Sequence, residues 1–288
     1  MSIILSYNGS MLGSSNGAML GGSWVDPYNP LGLQPHTIRC QFSEGYTPSI
    51  ANTTAVQVSS SNPNIWDITT DSTTDWSGLF RENSQLLSVR GANSTGITNI
   101  EDMFRNCSNL QTVVGTMDLR SVTSLDRVFM QSMGLPMTPS GWDVSHITSM
   151  SHTFDNCLGL YRITSNFCNT PNVTDYSYCY HATQALKTVP TIDTSAATNL
   201  EAMFMWSMGL TQVPLLDTSS ATNVNYMFED CYEVEDGALA MYQQMSTQAV
   251  PPVNHAGCFY SCGSNTSSGR TQLNQIPADW RTKAYPPS

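Results

Sequence analysis

The chain has 288 residues with only 11% charged side chains and a formal net charge of −11. Its 11 basic residues are scattered, which excludes the Lys/Arg stripe that counterion release on nucleic acid requires and disfavours an anionic membrane surface. No apolar run reaches the 18 or so residues of a membrane-spanning helix, so neither nucleic acid nor membrane insertion is expected.

Residues 1–33 are rich in Gly, Ser, Asn and Met and show neither helical nor strand periodicity. The start turns polar after three apolar residues and has no basic region ahead of them, unlike a secretory signal, so export by that route is not expected. The segment nevertheless carries Ile3, Leu5, Tyr7, Met11, Leu12, Met19, Leu20 and Trp24. That is too much apolar surface for a linker, and it reads as an extended peptide that docks on a partner protein.

Residues 34–70 read as a β-rich N-terminal cap. Thr37–Phe42 and Ala55–Val58 alternate apolar and polar residues, and Asn64–Ile68 follows a Pro/Asn turn.

From residue 71 to 236 one phrase recurs: Thr98–Leu110 returns at Thr123, Thr148, Thr174, Thr198 and Thr222. Aligned on the aromatic (Phe80, Phe104, Phe129, Phe154, Tyr180, Phe204, Phe228), the period is 24 to 26 residues. A period of that length predicts a solenoid. The Thr six residues before the aromatic reads as a helix N-cap, with Thr98/Glu101 and Thr198/Glu201 as capping boxes. Ile97, Ile100, Met103 and Phe104 give the buried stripe of a two-turn helix. The apolar residue six after the aromatic (Leu86, Leu110, Leu135, Leu160, Leu186, Leu210, Val234) marks a strand. The expected fold class is therefore an α/β solenoid: ~25-residue units of short helix plus short strand, with a parallel sheet.

Eleven residues before the aromatic an Asx recurs: Asn93, Asp118, Asp143, Asn169, Asp193 and Asp217. Asx-turns explain it better than a calcium ladder, since one side chain per coil falls short of the six to eight oxygens calcium takes. Among the eight cysteines, Cys107, Cys157, Cys231 and Cys262 fall three after an aromatic, where other units have Ser132, Thr183 and Ser207. That exchange marks a small buried position and favours free thiols; Cys231 with Cys262 is the best disulfide candidate, and whether the two pair is left open by the sequence.

Residues 237–288 read as a C-terminal cap: a helix after Asp236-Gly237 ending before Pro251-Pro252, a divergent last unit around Cys258–Cys262, and a Pro-rich tail.

The phrase T-x-h-x-x-M-F-x-x-C-x-x-L resembles the leucine-rich repeats of the BspA-like family of bacterial surface proteins over roughly residues 71–262. The flanks at 37–42 and 58–67 look similar to those of family members in gut bacteria and their crAss-like bacteriophages. The resemblance implies surface attachment and binding of protein or glycan, and offers no catalytic residue to carry over.

No hydrolase, nucleotide or dinucleotide fingerprint occurs. The five histidines form no HxxxH or HExxH pair, and paired carboxylates such as Glu229/Asp230 are expected in solvated positions. No enzyme, cofactor or metal is therefore expected. The residues flanking the buried Leu and Val of each unit point outward, giving Gln111, Tyr161, Arg162, Lys187 and Gln212 as binding candidates. The expectation is a non-enzymatic structural component of a bacteriophage virion, anchored on capsid, portal or tail proteins by its N-terminal segment and displaying its repeats for host adhesion. A bacterial cell-surface adhesin is the alternative.

Overall fold

A computed structural model describes residues 18–20 and 23–283. Ile3, Leu5, Tyr7, Met11 and Leu12 of the expected docking segment lie outside the described residues. Met19 and Leu20 fall in β1 (Ala18–Leu20) and Trp24 in β2 (Ser23–Val25), which pair antiparallel. From Asp26 onward the chain packs against its own repeats. Leu33 is buried, the Asn93 side-chain amide donates to the Leu33 carbonyl at 2.9 Å, and the Arg120 guanidinium lies 4.3 Å from the centre of the Tyr28 ring.

The alternating segments that follow become β3 (Thr37–Phe42), β4 (Thr53–Ser59) and β5 (Asn62–Thr70). With β6 (Leu86–Asn93) and β7 (Thr112–Val113) they form one five-stranded sheet in the order β4-β5-β3-β6-β7. The β3–β5, β3–β6 and β4–β5 pairs are antiparallel, and only β6–β7 is parallel. Ile38, Cys40 and Phe42 turn one face of β3 inward, as the alternation requires.

The sheet overturns the expected α/β solenoid. It is mixed, it lies at the N-terminal end, and the repeats carry neither the short helix nor the regular strand assigned to each unit. Among the described residues between 71 and 236 the one helical segment is a four-residue 3₁₀ turn, Ser165–Cys168.

The reason is visible in the hydrogen bonds around Phe104. The N–H groups of Met103, Arg105 and Cys107 donate three residues back, to the carbonyls of Ile100, Asp102 and Phe104 at 3.0–3.1 Å. The intervening N–H groups of Phe104 and Asn106 donate instead to Val128 and Met130 of the next unit, at 2.9 and 2.7 Å. The alternation needs left-handed residues two before and two after each aromatic: Asp102 and Asn106, Arg127 and Gln131, His152 and Asn156, Tyr178 and Ala182, all with φ between 54° and 63°. An α-helix would return every N–H to its own segment. Here every second one joins neighbouring units, and a two-turn helix is too short to compete on its own.

The threonines follow the same logic. Rather than capping a helix, the hydroxyls of Thr98, Thr148, Thr174, Thr198 and Thr222 donate to the corresponding carbonyl one unit earlier at 3.1–3.2 Å. The N–H groups of Glu101 and Glu201, read as box partners, donate to the side chains of Asn99 and Asn199. The Asx positions eleven before the aromatic form Asx-turns: Asp143, Asp193 and Asp217 each accept from the N–H two residues on at 2.9–3.1 Å.

The core is a column of aromatic rings. Phe80, Phe104, Phe129, Phe154, Tyr180, Phe204, Phe228 and Phe259 stack at centroid spacings of 5.3–5.8 Å, with interplanar angles of 17° or less. Phe42 closes one end and Trp280 the other. Such pairs add about 0.5–1.5 kcal/mol each beyond the area they bury.

The small position three after each ring has a further task. Cys107, Ser132, Cys157, Ser207 and Cys231 each donate to the carbonyl of the preceding unit's aromatic at 2.6–3.1 Å. All eight cysteines are free, so Cys231 does not pair with Cys262.

The C-terminal end carries α1 (Ala238–Thr247), α2 (Ser267–Leu273) and α3 (Ala278–Arg281), whose Trp280 covers Phe259. Among the described residues no helix is long and apolar enough to cross a membrane.

Candidate recognition face

The five binding candidates read from sequence lie on the side of the units that follows the buried Leu column. Gln111, Tyr161, Arg162, Lys187 and Gln212 are all exposed, Tyr161 at 55%. Backbone hydrogen bonds join their units, as from Thr211 N–H to the Lys187 carbonyl at 3.0 Å. They form an open edge, and Arg162 and Lys187 have no ion-pair partner among the described residues.

The chemistry concentrates on a different side, at the left-handed positions and the residues beside them. In the units of Phe80 to Phe129 this face carries Arg81, Glu101, Asp102, Arg105 and Arg127, which pair with one another: Arg127 contacts Glu101 and bridges to Asp102 at 3.2 Å. In the five units from Phe154 to Phe259 it becomes aromatic and acidic.

Asp155 is buried and accepts from both the His152 imidazole (Nδ1, 2.8 Å) and the His181 imidazole (Nδ1, 2.6 Å). Burial alone would raise its pKa, but the two histidines outweigh burial and hold the carboxyl below the usual carboxylate range. The His152 ring stacks on Tyr178 at 4.6 Å, Tyr178 meets His181 edge-on at 5.4 Å, and His181 lies 5.3 Å from Trp206. Trp206 is 42% exposed and donates its indole N–H to Asp230 at 3.2 Å. Asp230 and the buried Glu229 then receive Lys283, whose ammonium lies 3.7 Å from Asp230 and 4.3 Å from the centre of the Tyr260 ring. Burial raises the pKa of Glu229, and Lys283 works against that rise.

This string was not legible in the sequence. The histidines, expected apart, meet on one carboxylate because His152 lies two residues before the anchor Phe154 and His181 one residue after the next anchor, Tyr180; the carboxylates of Glu229 and Asp230, expected in solvent, are buried. The usable signal was the placement of His152, Tyr178, Trp206 and Tyr226 two residues from an anchor, positions the structure holds at φ of 54–61°, where Asn, Asp or Gly fits more cheaply. Asp155 uses its oxygens for imidazole N–H groups, and neither imidazole has a serine or cysteine partner among the described residues.

The model of one protein family, described as Mycoplasma protein of unknown function, DUF285, matches residues 74–191 and 162–262. These matches span more than half of the chain, and the chain belongs to that family. No curated protein and no solved structure matches it.

Proposed function

We propose that the chain is a non-enzymatic binding scaffold, which displays the exposed side of its stacked units to a protein or glycan. The observation that carries this reading is the aromatic and acidic string from His152 to Tyr260, with Trp206 exposed at its centre. Bulky aromatics in left-handed backbone cost about 1–2 kcal/mol each relative to a relaxed residue. His152 and Tyr178 stack on each other, whereas Trp206 keeps much of its ring exposed, which favours a use for that ring outside the fold, since backbone strain concentrates at functional sites.

The setting we propose is a bacteriophage particle, with the chain held by capsid, portal or tail proteins and its repeats available for host adhesion. The resemblance of the flanks at 37–42 and 58–67 to phage relatives supports it; a bacterial cell surface is the alternative. Mass spectrometry of purified particles, set against fractionation of producing cells, decides between them. For the binding role, beads coated with the chain should attach to intact bacteria, and Trp206→Ala should reduce attachment several-fold. Unchanged attachment by the variant would sink the assignment of this face.

A further inference from the structure

The carboxylates of Glu229 and Asp230 do not resemble the surface charges elsewhere on the chain. Their side chains are 3% and 10% exposed, whereas Glu82 is 65% exposed. Removing carboxylates from water is costly unless a cation compensates. Asp155, the other buried carboxylate of this face, is satisfied by histidines of the repeats themselves. Glu229 and Asp230 are instead satisfied by Lys283, which arrives from beyond the terminal Trp280.

Three successive units contribute to the site of that ammonium, Trp206 through its hydrogen bond to Asp230 and the others by contact. Trp206 comes from one, Glu229 and Asp230 from the next, and Tyr260 from the last. Trp206 and Lys283 share one oxygen of Asp230, so the indole N–H reports directly on what occupies the site. Gly257 lets the Tyr226 ring pack closely against the backbone beside Glu229: a Cβ there would fall 2.8 Å from that ring and 3.6 Å from Glu229 Oε2. Carboxylates joined to aromatic faces are the composition that holds alkylammonium ions, through charge-assisted hydrogen bonds and attraction to the ring quadrupole.

We propose that Trp206, Glu229, Asp230 and Tyr260 form an alkylammonium-binding box for a lysine side chain of a partner protein, and that Lys283 fills it in cis until the partner arrives. The net charge of −11 favours a basic partner. The tether makes Lys283 a competitor at millimolar effective concentration, so an incoming lysine meets a box that is open only part of the time. The inference rests on the reading of this face as a recognition surface.

The test follows the Trp206 indole N–H by NMR while Nα-acetyl-lysine amide is added, with Trp206→Phe assigning the signal. Lys283→Met should bind the probe about tenfold more tightly than the wild-type chain, as expected when a millimolar competitor is removed. Adding Glu229→Gln to that variant should abolish the gain, and Nα-acetyl-norleucine amide should leave the signal in place. No gain in Lys283→Met, or equal binding by the double variant, overturns the proposal. Tighter binding of choline than of the lysine amide overturns its assignment to a protein lysine.

Should Lys283→Met disturb the cap, excess lysine amide on the wild-type chain must still displace Lys283 and shift its ammonium resonance. Failure of that displacement also overturns the proposal. A lost titration with Trp206-dependent attachment intact removes the box alone. An intact titration with attachment unaffected by Trp206→Ala removes the wider reading of the face.

Discussion

Gln131 offers a sign test of the turn architecture. It sits two residues after Phe129 with φ of 63°, and its N–H donates to the Asp155 carbonyl of the next unit at 2.7 Å. A non-glycine residue held left-handed costs about 1–2 kcal/mol. Glycine removes that penalty but frees the unfolded chain, which costs back about 0.4–1 kcal/mol. Gln131→Gly should therefore stabilise the protein by about 0.5–1 kcal/mol. Gln131→Asn should move the same way, because Asn tolerates this conformation and already occupies the equivalent Asn106 and Asn156. In a helix the same glycine would destabilise by about 1 kcal/mol. The assay is urea unfolding, reading the midpoint at unchanged slope. A midpoint that falls for both variants would refute the alternating-turn argument.

The remaining predictions concern the core and its charges. Phe129→Ala removes a ring stacked on both sides, at 5.3 and 5.4 Å, and should cost about 3–5 kcal/mol in the same assay. Ser132→Ala removes one of the two donors of the buried Phe104 carbonyl, the hydroxyl at 2.6 Å, leaves the Cys107 N–H at 3.1 Å, and should cost about 0.5–1.5 kcal/mol, whereas Ser132→Cys should restore most of it, as Cys107 and Cys157 make the same bond. Asp155, with its pKa below the usual carboxylate range, contributes stability that is present above the unfolded value near 4 and is lost as pH falls through the folded value. Thermal melts of Asp155→Asn should thus show a shallower acid-side decline than the wild type. Burial pushes the Cys107 thiol up to about 12, and only Cys168 of the eight cysteines is less than buried. Alkylation followed by mass spectrometry should label Cys168 first in the native protein and all eight after denaturation without reductant.

Several features were legible because they depend on local residue type and a fixed period. The anchor column from Phe80 to Phe228, the buried Leu column, the Asx-turns at Asp143, Asp193 and Asp217, and the small buried place of Cys107 and Ser132 follow from which residue recurs and how large it is. The strands Thr37–Phe42, Thr53–Ser59 and Asn62–Thr70 follow from apolar alternation next to turn residues.

The helix in each unit failed because Ile100, Met103 and Phe104 bury equally well from a helix or from consecutive turns. Side-chain spacing reports which residues face inward and is silent on where backbone N–H groups go. The Thr98 hydroxyl likewise suits a cap or a neighbouring carbonyl, and only the stacked unit supplies the latter. The string from His152 to Tyr260 was out of reach for the same reason at longer range. His152, His181 and Asp155, or Trp206, Asp230 and Lys283, are separated by up to 77 positions and meet only once units stack and the end of the chain folds back. The sequence by itself determined the repeat, its buried columns and its small positions, because size and polarity are properties of single residues. Tertiary structure alone decided the turns, the mixed sheet and the buried charges, because those depend on which backbone and side-chain groups a neighbouring unit presents.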